Sequence, residues 1–286
     1  MKVVFWASSK DREQELAHAF LAGARAHGWD TEKRDLCARP RVDDYDVGCM
    51  VGVKSAELFR AHKQAGTIPL MIDKGYIRSR AASGRVWEYW RVAVNAHHPT
   101  ENSLTLRKMP PDRFEKLGVE IGPWRGYGLQ VVIAGSSAKY HQFYGLPHPT
   151  EYWTGIIANL ASMTDRPIIY RPKPSWKDAA PIRSSLYSGP KDHITDVLNN
   201  AHCLITHGSN ACFEAAIMGI PSIILGDGVM KSISSTSLDD LDAPRLGKRE
   251  QLLCNLAYHQ WNMQEFSTGE AWATMKGWVE RELKRA

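Results

Sequence analysis

Short apolar runs of four to seven residues alternate along this chain with longer stretches in which apolar residues recur every three or four positions. Such alternation predicts strands and helices in turn, with parallel strands covered on both faces. Residues 2–7 (KVVFWA) read as a strand buried on both faces. Residues 13–27 then read as a helix whose apolar stripe is Leu16, Ala19, Phe20, Ala24 and Ala26, with Gly28 as its stop. A weaker strand is expected at 31–36, a buried strand at 46–53, a helix at 54–65 and a further strand at 68–73 (IPLMID).

The rhythm breaks after Asp73 into a Gly- and Arg-rich stretch, 74–85, and an aromatic, β-branched segment, 86–95. Prolines 99, 110 and 111 delimit a loop-rich region, with a short helix expected at 112–117. Residues 118–128 (GVEIGPWRGYG) carry four glycines and a proline and read as a domain boundary. The rhythm then restarts with a strand at 129–134 and a turn at Gly135-Ser136-Ser137 that echoes Ser8-Ser9 after the first strand. Helices at 151–163, 193–201 and 211–218 and strands at 167–170, 203–206 and 221–225 follow, and the tail from Arg249 reads as helical. The fold class expected is α/β, with two doubly wound sheets in tandem, domains at 1–122 and 123–286, a cleft between them, and a last helix crossing back to the first domain.

Composition narrows the picture. Hydrophobic residues make up 43% of the 286 and charged residues 23%, which supports real cores and excludes a disordered tail. The 36 Lys and Arg against 31 Asp and Glu leave a net charge of +5, which suits a phosphorylated ligand without requiring one. Five scattered cysteines without CxxC spacing argue against a disulfide framework or a zinc site, and the reducing cytoplasm is the compartment expected. No apolar run approaches the roughly 20 residues of a membrane span.

In open α/β sheets ligands bind beyond the carboxyl ends of the strands. The sharpest segment there is 203–227, CLITHGSNACFEAAIMGIPSIILGD. A buried strand runs through Thr206 into His207-Gly208-Ser209-Asn210, and a helix opens at once, so its free amides and dipole form an anion cradle. Glu214, one turn in, is placed to accept hydrogen bonds from two ribose hydroxyls. The blander reading makes Asn210 an N-cap and Glu214 an acid favoured by the helix dipole. A second segment, Arg171-Pro172-Lys173-Pro174, holds a cation between two prolines that restrict the backbone; it reads as a phosphate-facing loop or as a solvated basic one. Ser136 and Ser137 follow the first strand of the same half, and neither serine turn is GxGxxG, which disfavours a dinucleotide oxidoreductase. Ser234 to Ser237 offer hydroxyls to a ligand or a cap to 238–241.

Thr206, His207, Gly208, Ser209, Asn210, Glu214, Gly219 and Pro221 resemble the donor half of the GT-B glycosyltransferases and nucleotide-sugar 2-epimerases, over about 25 residues. The resemblance implies a GT-B-like pair of Rossmann-like domains, with Glu214 on the ribose and Gly208, Ser209 and Asn210 facing a diphosphate, and His207 in the cradle. It also implies a nucleotide-sugar donor, UDP-linked by preference, and no tightly bound cofactor or metal. The Arg-Pro-x-Pro element is similar to one in capsule-type glycosyltransferases, with Lys173 where that family has a histidine; Lys173 and Arg171 would then assist departure of the diphosphate. No convincing Asp-x-Asp loop is present, which disfavours a metal-dependent GT-A site.

The first half is expected to supply the acceptor side. Asp73, directly after a buried strand, is the expected base for an acceptor hydroxyl, or else the partner of Lys74 or Arg78 in an ion pair. Lys74, Tyr76, Arg78, Tyr89 and Arg91 are the expected acceptor contacts, Tyr89, Arg91 and Asn95 sharing one face of a strand. The compact size, the Asp-Lys-Gly-Tyr segment and YWRVAVN also resemble phage glycosyltransferases, some of which modify hydroxymethylated pyrimidines in DNA, in the host cytoplasm. Arg78, Arg80, Arg85, Arg91, Arg107, Lys108 and Arg113 would suit a phosphate backbone. Alternatives are a surface polysaccharide or lipopolysaccharide acceptor, a sugar-nucleotide 2-epimerase, and a non-catalytic nucleotide- or DNA-binding module.

Overall fold

A computed structural model describes residues 1–36, 40–77, 89–99 and 108–285. The chain divides into two compact units, one made of Met1–Gly118 with Leu253–Ala286 and the other of Val119–Leu252. The first cut lies at 118/119, four residues before the expected 122/123, and the tail from Leu253 groups with the first unit.

Strand β1 (Lys2–Ala7) lies inside the first sheet, with a strand on either side, and its almost wholly apolar sequence reflects burial on both faces. Helix α1 (Asp11–Ala26) leads to β2 (Asp30–Asp35), an edge strand of charged residues whose Glu32 pairs with Lys2 and Arg34. Charge on an exposed edge discourages pairing with another chain. The chain then crosses to the other side of β1 to lay down β3 (Val47–Val51), α2 (Ala56–Ala65) and β4 (Ile68–Lys74), all these strands parallel. Strand β5 (Trp90–Val94) is antiparallel to β4, and β11 (Gln260–Trp261), from the tail, is antiparallel to β5. The order is β11-β5-β4-β3-β1-β2.

The tail read as helical thus contains a strand, too short for any period to reveal. Helix α8 (Glu250–Ala257) precedes it; α9 (Met263–Ser267) and α10 (Glu270–Leu283) follow. Phe20 on α1 packs its ring against Phe5, Phe266 and Trp272, so the late tryptophan belongs to the core. Gly23, in mid-helix, permits this: a Cβ there would lie 2.1 Å from the Phe266 carbonyl oxygen. Before the tail, α3 (Asp112–Glu115) carries Arg113, which is buried and donates to the carbonyls of Ala257 and Gln260 and pairs with Glu265 and Glu270.

The second sheet is parallel throughout, in the order β10-β9-β6-β7-β8. Strand β6 (Gln130–Ala134) comes first, followed by α4 (Ala138–Tyr144), α5 (Pro149–Met163), β7 (Ile168–Arg171) and β8 (Leu186–Tyr187) on one side. After α6 (Ile194–Leu198) the chain crosses to β9 (Ala201–Thr206), α7 (Ala211–Ile217) and β10 (Ser222–Ile224) on the other. Helix α5 turns Trp153, Ile157 and Leu160 into the core at helical spacing. Sequence reading missed α4 and β8: AKYHQFY shows no apolar stripe, and a two-residue strand carries no period.

The cut between Gly118 and Val119 falls at the start of the glycine-rich stretch read as a boundary, and the rest of that stretch packs within the second unit. Gly122 donates to the Ile217 carbonyl and Arg125 to that of Gly219. Arg249, buried, donates to the carbonyls of Ala216 and Gly122 and stacks on Trp124 at 3.9 Å. A cation at the last carbonyls of α7 complements the negative end of that helix. Gly219, at φ 79°, is required here, since a Cβ would lie 1.8 Å from the Pro123 carbonyl oxygen.

Candidate functional site

Each sheet has one place where consecutive strands part to opposite sides: between β1 and β3 in the first unit and between β6 and β9 in the second. Loops diverge there and leave the carboxyl edge open for a ligand. The second unit brings Ser136, Ser137 and residues 206–210 to this edge.

The turn after β9 is built around Thr206, whose side chain is wholly buried. Its hydroxyl donates to the Ala134 carbonyl at 2.9 Å and accepts from the amides of Ser209 at 2.9 Å and Gly208 at 3.3 Å. This corrects the cradle as expected from sequence: the Gly208 and Ser209 amides are engaged by Thr206, which fixes the turn and stitches β9 to β6. The Ala211 amide is taken too, at 3.3 Å, by Ser209 Oγ, while Asn210 makes no side-chain cap to the helix. Gly208 is needed for space, since a Cβ there would stand 2.6 Å from the Tyr140 hydroxyl. Glu214 sits half-buried in the first turn of α7.

His207 is buried, and its Nδ1 shares a 3.0 Å hydrogen bond with the Tyr152 hydroxyl. The rings of Tyr140, Tyr144 and Tyr152 surround it at 5.6 to 6.2 Å. Burial first, and His141 second, hold its pKa below the ordinary value against the opposing pull of Asp227. A neutral, enclosed ring supports the turn and brings no positive charge to a phosphate, which corrects the direct contact expected of it. Gly226 accommodates the ring, since a Cβ there would fall 2.1 Å from Nε2. None of these tyrosines is singled out by the sequence, although Tyr140 and Tyr144 stand in the run YHQFY shortly after Ser137. Tyr170, also missed, buries its hydroxyl beside Gly135 without a partner among the described residues.

The cations after β7 separate. Arg171 is the last residue of β7 and donates to the Asp192 carbonyl at 2.8 Å, bracing the loop before α6. Lys173 is exposed. Ser237 caps the 3₁₀ turn Leu238–Asp240 through the Asp239 amide, so the capping reading of that serine run holds.

In the first unit Asp73 is the penultimate residue of β4, with 32% of its side chain exposed. One oxygen accepts from the Lys74 amide at 2.7 Å, and the other faces Arg91 at 3.5 Å and His97 at 3.9 Å. Burial raises its pKa, but the His97 ring and the Arg91 charge outweigh this and hold it well below the usual carboxylate range. Arg91 itself is buried and donates to the Tyr76 hydroxyl at 3.0 Å, the His97 carbonyl at 2.9 Å and the ring nitrogens His98 Nδ1 and His97 Nε2. Arg91 is the permanent counter-charge of Asp73. Tyr76 and Arg91 are therefore internal and do not offer the acceptor surface expected of them. Lys74 is exposed and Tyr89 half-buried, its carbonyl accepting from Gly75. Arg78 lies outside the described residues. Asn95 is drawn away from a shared face to Lys63 and Glu282.

Of the basic residues that would suit DNA, Arg91 and Arg113 are thus consumed inside the fold, Lys108 is exposed, and Arg78, Arg80, Arg85 and Arg107 lie outside the described residues. Among the described residues no group of three or more His, Cys, Asp or Glu is placed to hold a metal ion, and no helix is long and apolar enough to cross a membrane.

Two α/β units with strands parting in this way define a GT-B-like, Rossmann-based architecture. No protein-family model and no curated protein matches the chain in sequence. Solved structures show the same fold. The β-Kdo 2,7 transferase of KpsC from Thermosulfurimonas dismutans has a TM-score of 0.58 at 13% identity, over 94% of this chain and 98% of that one. The β-Kdo 2,4 transferase of the same KpsC has a TM-score of 0.53 at 12% identity, over 92% of each chain. Both are described as Kdo transferases, so the phage part of the resemblance gains nothing from them.

Proposed function

We propose that the protein is a glycosyltransferase that moves a sugar from a nucleotide donor held at the carboxyl edge of the second unit to a hydroxyl of a saccharide acceptor. The observation that carries this reading is the turn after β9, pinned by Thr206 where the parallel strands part, with Glu214 on the helix that leaves it. A rigid uncharged turn, an acid one helical turn on and a nearby tyrosine shell suit a ribose and a nucleotide better than an extended polymer. Glu214 accepts from the ribose, Ser136, Ser137 and Asn210 contact the leaving group, and the exposed Lys173 supplies charge as it departs.

The acceptor oxygen attacks the anomeric carbon while the bond to the nucleotide breaks with its electron pair going to phosphate. Asp73 takes the acceptor proton. Its depressed pKa makes it a weak base, which suits a transfer completed late, when the new C–O bond has already made that proton acidic. The saccharide is favoured over DNA because Arg91 and Arg113 are internal. The two KpsC structures, both β-Kdo transferases, add support for a capsule- or lipopolysaccharide-type reaction and make nucleotide-activated Kdo a donor to include.

The test is incubation of the full chain with radiolabelled nucleotide sugars, activated Kdo among them, and with either capsular oligosaccharides or hydroxymethylated DNA. Label in the oligosaccharide is expected. Label in DNA alone overturns the acceptor, interconversion of donor sugars without an acceptor points to an epimerase, and no release of nucleotide overturns the reading.

A further inference from the structure

The proposed chemistry uses Asp73 in the first unit, yet the point where β1 and β3 part holds a second polar group that it leaves aside. Glu13, in the first turn of α1, is 7% exposed. One of its oxygens accepts from the Ser8 hydroxyl at 2.6 Å and the Ser8 amide at 3.2 Å, just beyond β1. The other accepts from the ammonium of Lys54, which arrives on the loop after β3. Burial raises the Glu13 pKa, but Lys54 and Ser8 outweigh it and the net shift is downward. The carboxylate is therefore ionised at neutral pH, and Lys54 faces a permanent counter-charge.

What these groups leave unused is informative. Lys54 spends one N–H on Glu13 and a second on Ser8 Oγ at 3.3 Å; the third has no partner among the described residues, and 26% of the side chain is exposed. Ser8 gives its proton to Glu13 and accepts from Lys54, which leaves one lone pair. Gly52, two residues before Lys54, lies against the next strand end: a Cβ there would be 3.8 Å from Asp73 Oδ2. The ends of β1, β3 and β4 therefore present, side by side, a hydroxyl acceptor, an ammonium donor and a partly exposed carboxylate. The four formal charges of Glu13, Lys54, Asp73 and Arg91 cancel.

Charges balanced in pairs, beside groups that both donate and accept, are a poor match for a polyanion, whose attraction rests on uncompensated Lys and Arg. It matches a pair of neighbouring sugar hydroxyls, each of which gives one hydrogen bond and takes another. A buried ion pair is also weak ground for stability alone, since apolar replacements are often neutral or better. We infer that Ser8, Lys54 and Asp73 form a binding site for the vicinal hydroxyls of a saccharide, with Glu13 and Arg91 as positioning residues that hold Lys54 and Asp73 in place. This rests on the glycosyltransferase reading for its role, and names the class of acceptor and the residues that grip it.

The full-length protein is tested on a printed array of neutral and acidic glycans, with a 20-mer DNA carrying 5-hydroxymethylcytosine as counter-probe. Wild type is expected to bind saccharide spots and not the DNA. Lys54→Met and, separately, Ser8→Ala are expected to lose at least tenfold in signal while keeping a wild-type melting temperature, and Lys54→Arg to recover part of it. Ser8→Ala serves where Lys54→Met fails to fold. Saccharide binding that both folded variants retain, no saccharide binding by wild type, or binding of the DNA instead overturns the site. Hydrolysis of nucleotide sugars by wild type keeps the two ideas apart. Hydrolysis without saccharide binding removes this site and leaves the transferase, whereas Lys54-dependent binding without hydrolysis removes the transferase and leaves the site.

Discussion

The two sheets place different chemistry at the same position of the same architecture. In the second unit the strands part around uncharged groups: Ser136, Ser137, the buried Thr206 hydroxyl and a neutral His207 enclosed by three tyrosines. In the first unit the corresponding edge holds charge in balanced pairs, Glu13 with Lys54 and Asp73 with Arg91. An uncharged turn can be fixed by one side chain, whereas ionised groups need partners from several strand ends to remain there. The proposed division, nucleotide on one unit and polyhydroxylated acceptor on the other, rests on this contrast.

The largest expected effect tests whether the first unit depends on buried neutral groups as heavily as on its ion pairs. His259, stacked on Trp278 at 4.3 Å, is pushed down to about 3 by burial. The unfolded chain takes up its proton below about pH 6.5 while the folded form stays neutral, so stability falls as pH falls through that window. The loss is on the order of 4 kcal/mol by pH 3, at about 1.4 kcal/mol per pH unit. Urea unfolding of His259→Phe, which keeps the stack, is expected to show a shallower acid slope than wild type. An unchanged slope would place the acid sensitivity elsewhere.

Next in size is the anchor of the second unit. Thr206→Val removes one donor and one shared acceptor and leaves the Ala134 carbonyl and two turn amides without it. A cost of about 3 kcal/mol follows, because buried polar groups without partners are expensive. Hydrogen exchange is expected to rise in residues 130–134 and 206–211 and to stay unchanged in the first unit; protection lost evenly in both would contradict two separately compact units.

The smallest effect concerns the tail. Asn262 and Glu265 form a reciprocal capping box at the start of α9. Asn262→Ala is expected to cost about 1 kcal/mol, read as a lower melting temperature confined to the first unit.

How much of this was legible in the sequence follows from what each signal depends on. Strands buried on both faces, such as β1, β3 and β9, announce themselves because most of their positions are apolar. The partner of β5 did not, since Gln260–Trp261 carries no period and its pairing is a tertiary event. Gly219 was visible as a turn, but its reason, the approach of Pro123, was not. At the site, the segment 206–214 could be located because it joins a buried strand to a helix. Which amides were already engaged could not be read, because that depends on where the Thr206 hydroxyl points. Arg91 and Tyr76 were misjudged for a related reason: alternation along a strand tells which residues share a face, but not whether the face is covered. Glu13 carries no signal of its own in the sequence, because its partner Lys54 arrives on another loop.

The central claim, that the turn leading into α7 holds a nucleotide with Glu214 on its ribose, is tested most directly by calorimetric titration of wild type and Glu214→Ala with uridine and cytidine nucleotides. Wild type is expected to bind one nucleotide per chain and the variant to lose roughly 10- to 100-fold in affinity, as for a hydrogen bond to a charged group worth about 1.5 to 3 kcal/mol. Equal affinity in both proteins, or no heat from either, would contradict the account.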